Sequence, residues 1–388
     1  MIFTSYIVFW LAASALFYAY LGYPILLFIL NHLHGRGVRR AEFTPSISFV
    51  ITAYNEERDL RAKLENTLAL DYPRDRLEII VASDCSSDST DEIVRQFASR
   101  GVRLYRQSQR LGKTAAQNTA TELANGEIVL FSDATTHYRA DVLRRLMPNF
   151  ADPSVGCVTG QVVYADPGKS SVGHGTRSYW SYEFLLKRYE SNVCSLIGVC
   201  GCMYAVRRSA YVPLYHEACS DFVIATKMVE QGLRAVYEPD AVCVEETNQA
   251  SEKELKTRVR IITQTFSDLW RNRVMMNPLK SGVYAVELFS HKLIRYLVPL
   301  FLLSILAASI FLAAHSLIFA GILLLQVVFY AAAILAWLLE KAGLHNRLLA
   351  MPQYFVITNL ASLIAFYKFV RGERYVRWEP IRASNPGA

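Results

Sequence analysis

Acidic side chains stand at the ends of three apolar runs of strand length in the first third of the chain. The runs SISFVITAY, LEIIVASD and EIVLFSD lead to Glu56, Asp84 and Asp133. Ligands of open α/β sheets bind at the carboxyl ends of the strands, so acids delivered to that edge form a site by geometry. Such carboxylates can hold a divalent cation or accept a proton during a reaction.

A fourth acid, Asp221, precedes the helix-like run from Phe222 to Gln231. The amides at a helix N-terminus favour a charged carboxylate, so Asp221 would stay ionised and available as a general base. The alternative is that Asp221 only caps this helix.

The elements that must position these acids form an α/β pattern. Between Pro45 and about Leu279, strand-length apolar runs alternate with amphipathic stretches of helix length. One helix is predicted to open with a capping box at Ser89, and another to cover Lys113 to Ala124. Two nucleotide-binding motifs are excluded, because RLGKTAAQN has Gln107 where a P-loop needs its first glycine and no GxGxxG follows the first strand.

Long apolar segments flank this region and predict a membrane protein. Hydrophobic residues make up 52% of the 388 residues and charged residues 19%, and the apolar excess lies at both ends. Tyr6 to Leu30 fits one transmembrane helix without a signal-peptide cleavage site, and Tyr296 to Leu339 fits a hairpin of two. Leu348 to Val370, interrupted by Pro352 and Lys368, is either a third span or a re-entrant or interfacial segment. The basic run HGRGVRR after the first helix predicts an N-terminus outside and a cytoplasmic α/β domain.

Charge and cysteine content narrow the range of partners. The formal net charge is +7, and basic residues concentrate beside the apolar segments, which indicates anionic lipid headgroups rather than nucleic acid. The segment 251–280, apolar at helical spacing and rich in arginine, is predicted to lie in the membrane interface. The seven cysteines include no CxxC pair, so neither a disulfide framework nor a zinc site is expected.

The motifs of the α/β region resemble, in order and spacing, those of the family 2 inverting glycosyltransferases. The resemblance lies within about residues 45–280 and is carried by ITAYNEE, IIVASDCSSDSTDEI, RLGKTAAQN and IVLFSDA. An anchor before this region and a hairpin after it are similar to the layout of the membrane-embedded cellulose, chitin and hyaluronan synthases. The resemblance implies a GT-A fold. It also implies transfer of a hexose or N-acetylhexosamine from a UDP-sugar to a growing polysaccharide or a lipid-linked glycan.

The resemblance further implies roles for individual residues. Nucleotide-sugar binding is expected from Tyr54, Glu56, Asp84, Lys113, Asn118 and Asp133. Asp221 would be the catalytic base. Contacts to the acceptor or the diphosphate are expected from Gly201, Arg207 and Arg260. Two motifs depart from the family pattern, because Ser220 replaces the acid before the base and Thr257 and Ile261 replace the Gln and Trp around Arg260.

The metal-binding element departs from the family pattern as well. Asp133 would be the first acid of its DxD element, and Thr135 stands where the family usually has the second. A threonine hydroxyl is a neutral and weaker ligand for a hard cation than a carboxylate. We expect Mg²⁺ or Mn²⁺ to be held by Asp133, Thr135 and mainly the diphosphate of the donor, with Glu246 as a further assisting group.

Two functional classes remain open. One is an enzyme, either processive or transferring a single sugar, in a bacterial-type inner membrane with polysaccharide export proteins as partners. The other is a non-catalytic nucleotide-sugar-binding subunit of a polysaccharide assembly; the retained Asp221 argues against it, and Thr135 and Ser220 argue for it. The predicted domains are an anchor at 1–34, a GT-A domain at 45–250, an interface helix at 251–280 and a membrane region at 290–375.

Overall fold

The computed structural model describes residues 2–165, 171–246, 250–344 and 346–375, with side chains for all of these except 171–178. The strands of this part of the chain are β1 Ile47–Ala53, β2 Leu77–Ser83, β3 Val102–Arg106, β4 Ile128–Asp133, β5 His137–Tyr138, β6 Val155–Ala165, β7 Met203–Arg207 and β8 Arg234–Glu246. Its α-helices are α1 Ile2–Phe17, α2 Tyr23–His34, α3 Leu60–Leu68, α4 Thr90–Gln96, α5 Lys113–Glu122, α6 Val142–Leu146, α7 Ser171–Val193, α8 Ser220–Glu230, α9 Ser251–Arg271, α10 Pro278–Ser281, α11 Val283–Leu288, α12 Arg295–Ala313, α13 Leu317–Lys341 and α14 Ala350–Val370.

The strands form one mixed sheet in the order β3-β2-β1-β4-β7-β6-β8-β5. Strands β1 to β4 are mutually parallel, and β7 runs antiparallel to β4 and β6. In this register Ala53 pairs with Ser83, and Thr52 pairs with Asp133. The chain therefore leaves β1, β2 and β4 at the same edge of the sheet, as the sequence predicts for an α/β domain.

Both faces of the central strands are covered by helices. On β1, Phe49 and Ile51 pack in the same cluster as Leu64 of α3, whereas Val50 packs in the cluster of Ala116 and Ala120 of α5. Residues of one strand alternate between the two faces, so a strand covered on both sides is apolar throughout. This explains why SISFVITA is mostly apolar and why its polar residues Ser48 and Thr52 are buried as well.

The predicted boundaries of these elements agree with the structure to within about two residues, but the predicted capping box at Ser89 is wrong. Ser89 makes no side-chain cap hydrogen bond. Asp88 takes this role, because its Oδ1 accepts hydrogen bonds from the Thr90 N–H at 3.0 Å and the Thr90 hydroxyl at 2.5 Å.

Four helical segments in the described part of the chain are long and apolar enough to cross a membrane. They are Ile2–His34, Val283–Ala313, Leu317–Lys341 and Ala350–Val370. The first two each contain a π-helical turn, at Tyr18–Gly22 and at Phe289–Ile294. The protein is therefore a membrane protein with apolar helices on both sides of its α/β domain.

The predicted interface helix α9 packs along α14. At one end, Gln353 Nε2 donates to Ser251 Oγ at 2.9 Å. In the middle, Val259 and Ile262 of α9 pack against Ala361 and Ala365 of α14. Beyond the other end of α14, Gln264 Nε2 donates to the Tyr375 carbonyl at 3.0 Å. The apolar stripe of α9 thus faces a neighbouring helix over most of its length.

A buried polar cluster joins the N-terminal anchor, α7 and the start of α12. Glu190 Oε1 accepts from the Tyr23 hydroxyl at 2.7 Å and contacts His291 Nδ1 at 2.5 Å. His291 Nε2 lies 3.0 Å from Glu183 Oε2, and Glu183 also forms an ion pair with Arg295. These contacts fix the membrane helices against the long helix that lines the site described below.

Candidate active site

A cavity of about 670 Å³ lies between the carboxyl edge of the sheet and the membrane helices. The α/β domain contributes Lys113, Asp133, Gly201 and Asp221 to its wall, and α9 contributes Arg260. Helix α7 and the membrane helices contribute Tyr179, Trp180, Tyr20, Lys292, Tyr296 and Tyr354. The cavity therefore connects the edge where the acids meet with the membrane-facing part of the protein.

Lys113 holds Asp133 and the loop of Gly201 together. It is the first residue of α5, and its ammonium group forms an ion pair with Asp133 and donates to the Gly201 carbonyl at 3.1 Å. Burial disfavours the charged form of Lys113, but the Asp133 carboxylate outweighs burial, so the pKa of Lys113 is raised. A positive charge is thus maintained beside the end of β4.

Asp221 lies in the first turn of α8 and directly beside Gly201. Its Oδ1 accepts from the Cys219 thiol at 2.9 Å and from the Phe222 amide at 3.1 Å. A Cβ on Gly201 would stand 3.0 Å from Asp221 Oδ2, so only glycine leaves this oxygen uncrowded. The carboxylate thus lies at the N-terminus of α8.

Asp268 of α9 fixes the start of α8. Its carboxylate accepts from the Cys219 amide at 3.0 Å and from the Tyr215 hydroxyl at 2.5 Å. Burial raises the pKa of Asp268 to about 7. Asp221 is therefore positioned from two directions, by the loop of Gly201 and by helix α9.

Arg260 and Lys292 line the cavity, and the described residues place no carboxylate within ion-pair distance of either. Burial lowers the pKa of the Arg260 guanidinium, while the Cys219 thiol and the carboxylates of Asp221 and Asp133 oppose that shift. Lys292 stands near the rings of Phe222 and Tyr296, 5.7 and 5.8 Å from their centroids. Both cations are free to bind an anion beside the acids.

Comparison with known proteins identifies this arrangement. Residues 48–213 match the family model described as glycosyl transferase family 2. These residues form a glycosyltransferase family 2 domain. A 234-residue segment of the chain is 27% identical to the poly-beta-1,6-N-acetyl-D-glucosamine synthase of Staphylococcus aureus, covering 59% of this chain and 53% of that protein. A 157-residue segment is 25% identical to glycosyltransferase AglE of Haloferax volcanii, covering 40% of this chain and 52% of that protein.

The chain spans about half the length of these curated relatives. A solved structure matches much more of the chain. It is that of the mannosyltransferase PcManGT from Pyrobaculum calidifontis, in complex with GDP-Man and Mn²⁺. The two agree with a TM-score of 0.71 over 94% of this chain and 99% of that chain, at 24% identity. This likeness confirms the predicted GT-A fold with helices apolar enough for a membrane on either side.

The residues expected to bind the nucleotide lie beside the cavity, around the loop that precedes Lys113. Asp84, after β2, accepts hydrogen bonds from the amides of Leu111 and Gly112 at 2.8 and 3.0 Å. Tyr54, after β1, lies under the Arg110 guanidinium, 3.7 Å from the ring centroid. Glu56 is buried, with its amide bonded to the Thr90 hydroxyl at 2.8 Å. Asp84 thus shapes the loop that delivers Lys113 to the cavity.

Two predicted site residues lie elsewhere. The predicted position of Asn118 facing the nucleotide is wrong, because its side chain donates to the Leu214 carbonyl at 2.7 Å and accepts from the Leu214 amide at 3.0 Å. The amide group is therefore used to fix the 211–214 loop against α5.

Arg207 is predicted to lie near the acceptor or the diphosphate, but the structure places it at the opposite end of the strands, beside the start of β4. Because β7 is antiparallel to β4, Met203 pairs with Ser132 near the site, whereas Arg207 pairs with Ile128 about 13 Å away along the strand. Its guanidinium donates to the carbonyls of Val155 and Phe150. The prediction failed because the strand direction was not deduced from the sequence.

The acids near Asp133 differ from those expected. Asp133 and two glutamates at the end of β8, Glu245 and Glu246, line the cavity, whereas Thr135 is not among the residues that form its wall. Burial, and then the charge of Asp133, raise the pKa of Glu245 to about 7. Among the described residues, no three His, Cys, Asp or Glu side chains converge closely enough to hold a metal by themselves. Carboxylate oxygens from two strands nevertheless suit a hard divalent cation that shares its ligands with a diphosphate.

Sequence reasoning missed Lys63, which supports the turn after Asp133. Lys63 lies in α3 and is fully buried, and its ammonium group donates to the Thr136 carbonyl at 2.5 Å. It also lies over the Tyr138 ring, 3.9 Å from the centroid. Nothing in LRAKLENTL distinguishes this lysine from a solvent-exposed one, because its partner is a backbone atom more than 70 residues away.

Proposed function

We propose that this glycosyltransferase transfers a hexose or N-acetylhexosamine from a UDP-sugar, with inversion, to a growing polysaccharide or a lipid-linked glycan. The observation that carries the proposal is the position of Asp221. Its carboxylate lies at a helix N-terminus, beside Gly201, in a cavity that also holds Lys113 and Arg260. A base and two cations around one space suit an in-line displacement at an anomeric carbon.

Each side of that displacement has its own groups. Asp221 takes the proton from the acceptor hydroxyl as the hydroxyl attacks the anomeric carbon. On the opposite side, the diphosphate leaving group gains charge, which Lys113 and Arg260 stabilise. Lys113 is paired with Asp133 in this structure, so it is already oriented at the edge where the diphosphate would lie.

The nucleotide would bind around Tyr54, Glu56 and Asp84. These residues follow the first two strands and adjoin the loop that ends at Lys113, one of the proposed diphosphate cations. The curated relative makes poly-beta-1,6-N-acetyl-D-glucosamine, which favours an N-acetylhexosamine, whereas PcManGT was solved with GDP-Man.

A divalent cation fits the oxygen donors at Asp133 and would neutralise the diphosphate charge when bound. PcManGT holds Mn²⁺ together with its donor. For this protein, Mg²⁺ and Mn²⁺ are both compatible with carboxylate ligands.

The acceptor would reach Asp221 from the membrane side. Tyr20, Tyr296 and Tyr354 come from three membrane helices and line the same cavity as Asp221. Aromatic side chains with polar ends offer both stacking surface and hydrogen bonds to a glycan. A lipid-linked glycan or a growing polysaccharide would enter between these helices, which membrane lipids surround. Anionic groups of this acceptor would lie near Lys292.

We infer that α14 lies in the membrane interface and that three segments span the membrane. Helix α14 runs beside α9 at both ends, and α9 is tied to the α/β domain through Asp268. If α14 crossed the bilayer, α9 would have to follow it with the charged Glu252, Lys253 and Lys256. Three spans put the N-terminus outside and the α/β domain and the end of α14 in the cytoplasm, which agrees with the basic segments that follow them.

The test is nucleotide release by the purified full-length protein in detergent, with a panel of UDP-sugars and GDP-mannose and with membrane-extracted glycan as acceptor. Wild type should release nucleotide with one donor, and Asp221→Asn should lower the rate by about 10²- to 10⁴-fold. Asp71→Asn, on an exposed ion pair with Arg144, is the matched control and should behave as wild type. If wild type binds UDP but releases none with any donor, the protein is a non-catalytic nucleotide-sugar-binding subunit. If Asp221→Asn releases nucleotide as fast as an active wild type, Asp221 is not the base.

A further inference from the structure

The turn after Asp133 lies beside the end of strand β8. Strand β5 follows this turn and pairs antiparallel with β8, with His137 opposite Val244 and Tyr138 opposite Cys243. Continuing that register places Glu245 opposite Thr136 and Glu246 opposite Thr135. Directly opposed residues of antiparallel strands have Cβ atoms about 5 Å apart. Two carboxylates from a distant part of the sequence therefore adjoin the element in which the second acid is missing.

The two glutamates point in different directions. Side chains alternate along a strand, so Glu245 shares its face with Cys243, which is fully buried and has its Sγ 3.9 Å from that of Cys202. Glu246 shares the face of Val244, which is 38% exposed. Glu245 is therefore directed towards the loop of Gly201 and Asp133, whereas Glu246 lies on the more exposed side of the cavity wall.

The charged neighbours of the two glutamates differ in the same way. Those of Glu245 are Asp133, Lys113 and Lys63. Glu246 instead acts on His137. Both lysines beside Glu245 already have other partners. Lys113 forms an ion pair with Asp133 and donates to the Gly201 carbonyl. Lys63 donates to the Thr136 carbonyl.

We propose that Glu245 supplies the second protein carboxylate for the divalent cation. It replaces the acid of the DxD element whose position is occupied by Thr135. This inference rests on the proposed function, because the cation is the one that accompanies the donor diphosphate. Asp133 from β4 and Glu245 from β8 then share the cation with the diphosphate. Hard divalent cations bind such sets of carboxylate and phosphate oxygens. The loss of a carboxylate within the DxD element is thereby compensated from another strand.

The experiment measures Mn²⁺ binding by electron paramagnetic resonance of free Mn²⁺, with the full-length protein in detergent and saturating UDP or GDP. Glu245→Gln should weaken nucleotide-dependent Mn²⁺ binding about tenfold or more, since even indirect loss of a ligand's support has effects of that size. Glu246→Gln should change it by less than about twofold. The double variant Thr135→Asp with Glu245→Gln should recover binding, because it returns a carboxylate to the usual position.

The outcomes separate the two proposals. If wild type binds Mn²⁺ in the presence of either nucleotide and Glu245→Gln binds it equally well, the proposed role of Glu245 is overturned. The proposed function is unaffected by that result. Wild type that binds neither nucleotide nor Mn²⁺ in its presence overturns both. If Glu246→Gln, and not Glu245→Gln, weakens nucleotide-dependent Mn²⁺ binding, the metal ligand is Glu246 and the assignment to Glu245 is overturned.

A measurement on the wild type alone covers the case in which Glu245→Gln does not fold, which thermal unfolding would reveal. Fe²⁺ replaces Mn²⁺ in the nucleotide complex, and ascorbate with peroxide then cleaves the backbone near the bound metal. Mass spectrometry should find cuts near both Asp133 and Glu245. Cuts near Asp133 alone overturn the proposal.

Discussion

Gly201 and Asp221 are in contact across the candidate active site. The loop of Gly201 approaches α8 so closely that a Cβ at Gly201 would lie 3.0 Å from Asp221 Oδ2 and 3.4 Å from Cγ. The Gly201 carbonyl also receives the Lys113 ammonium group at 3.1 Å. One glycine thus sets the distance between the proposed base and the proposed diphosphate cation.

Replacing Gly201 with alanine should therefore reduce kcat more than it affects nucleotide binding. The added methyl group must displace the Asp221 carboxylate by a few tenths of an ångström, and misplacement of a reacting group costs about ten- to a hundredfold in rate. The matched control is Gly198→Ala on the same loop, where the nearest atoms to the new Cβ are 3.8 Å away. Steady-state kinetics of both variants would check this, and equal rates for the two would argue against the crowding explanation.

Asn118→Ala should destabilise the fold and leave the KM of the donor unchanged. Its side chain bonds to both backbone groups of Leu214 and accepts from the Tyr211 hydroxyl at 2.8 Å. Loss of these partners leaves polar groups unsatisfied at a cost of about 1–3 kcal/mol. Thermal unfolding in detergent measures the stability, and donor titration measures the KM. A raised KM with unchanged stability would restore Asn118 to the nucleotide site.

Part of the candidate site could be predicted from the sequence, and part could not. The edge where β1, β2 and β4 end follows from the apolar runs alone, and so do Asp84, Asp133 and the helix start at Asp221. The direction of β7 does not, because an isolated run of five residues carries no sign of its orientation. The predicted contact of Arg207 with the acceptor or the diphosphate is wrong for that reason.

Contacts made over long sequence separations were missed for a related reason. Lys63 reaches a carbonyl at Thr136, Asp268 holds the amide of Cys219, and Glu245 adjoins Asp133. In each pair the two residues are 49 or more positions apart in the sequence. The local sequence pattern does not show which distant elements pack against each other. The sequence predicts that the metal-binding element at Asp133 lacks an acid. Glu245, which we propose as its replacement, adjoins this element only through the pairing of β8 with β5, which the sequence does not reveal.

The pH dependence of stability should contain a contribution from Asp268. Its pKa in the folded protein is raised to about 7 by burial, above the value of about 3.9 for an exposed aspartate. The folded state binds this proton more tightly, so the contribution is fully present below about pH 4 and is lost as the pH rises through about 7. Asp268→Asn cannot ionise and should lose less stability over that range. Thermal unfolding of both proteins at pH 5 and pH 8 checks this, and parallel curves would contradict it.

The proposed interfacial position of α14 predicts the side of the membrane on which the chain ends. With three spans, the residues after Val370 lie on the same side as the α/β domain, and the loop between α12 and α13 at His315 lies opposite. A green fluorescent protein fused after Ala388 should therefore fluoresce, and alkaline phosphatase inserted at His315 should be active. Swapping the two reporters supplies the control for expression. If α14 crosses the bilayer, alkaline phosphatase is active after Ala388 instead. Helix α9 must then enter the membrane with α14, because Gln353 and Tyr375 bind Ser251 and Gln264 of α9.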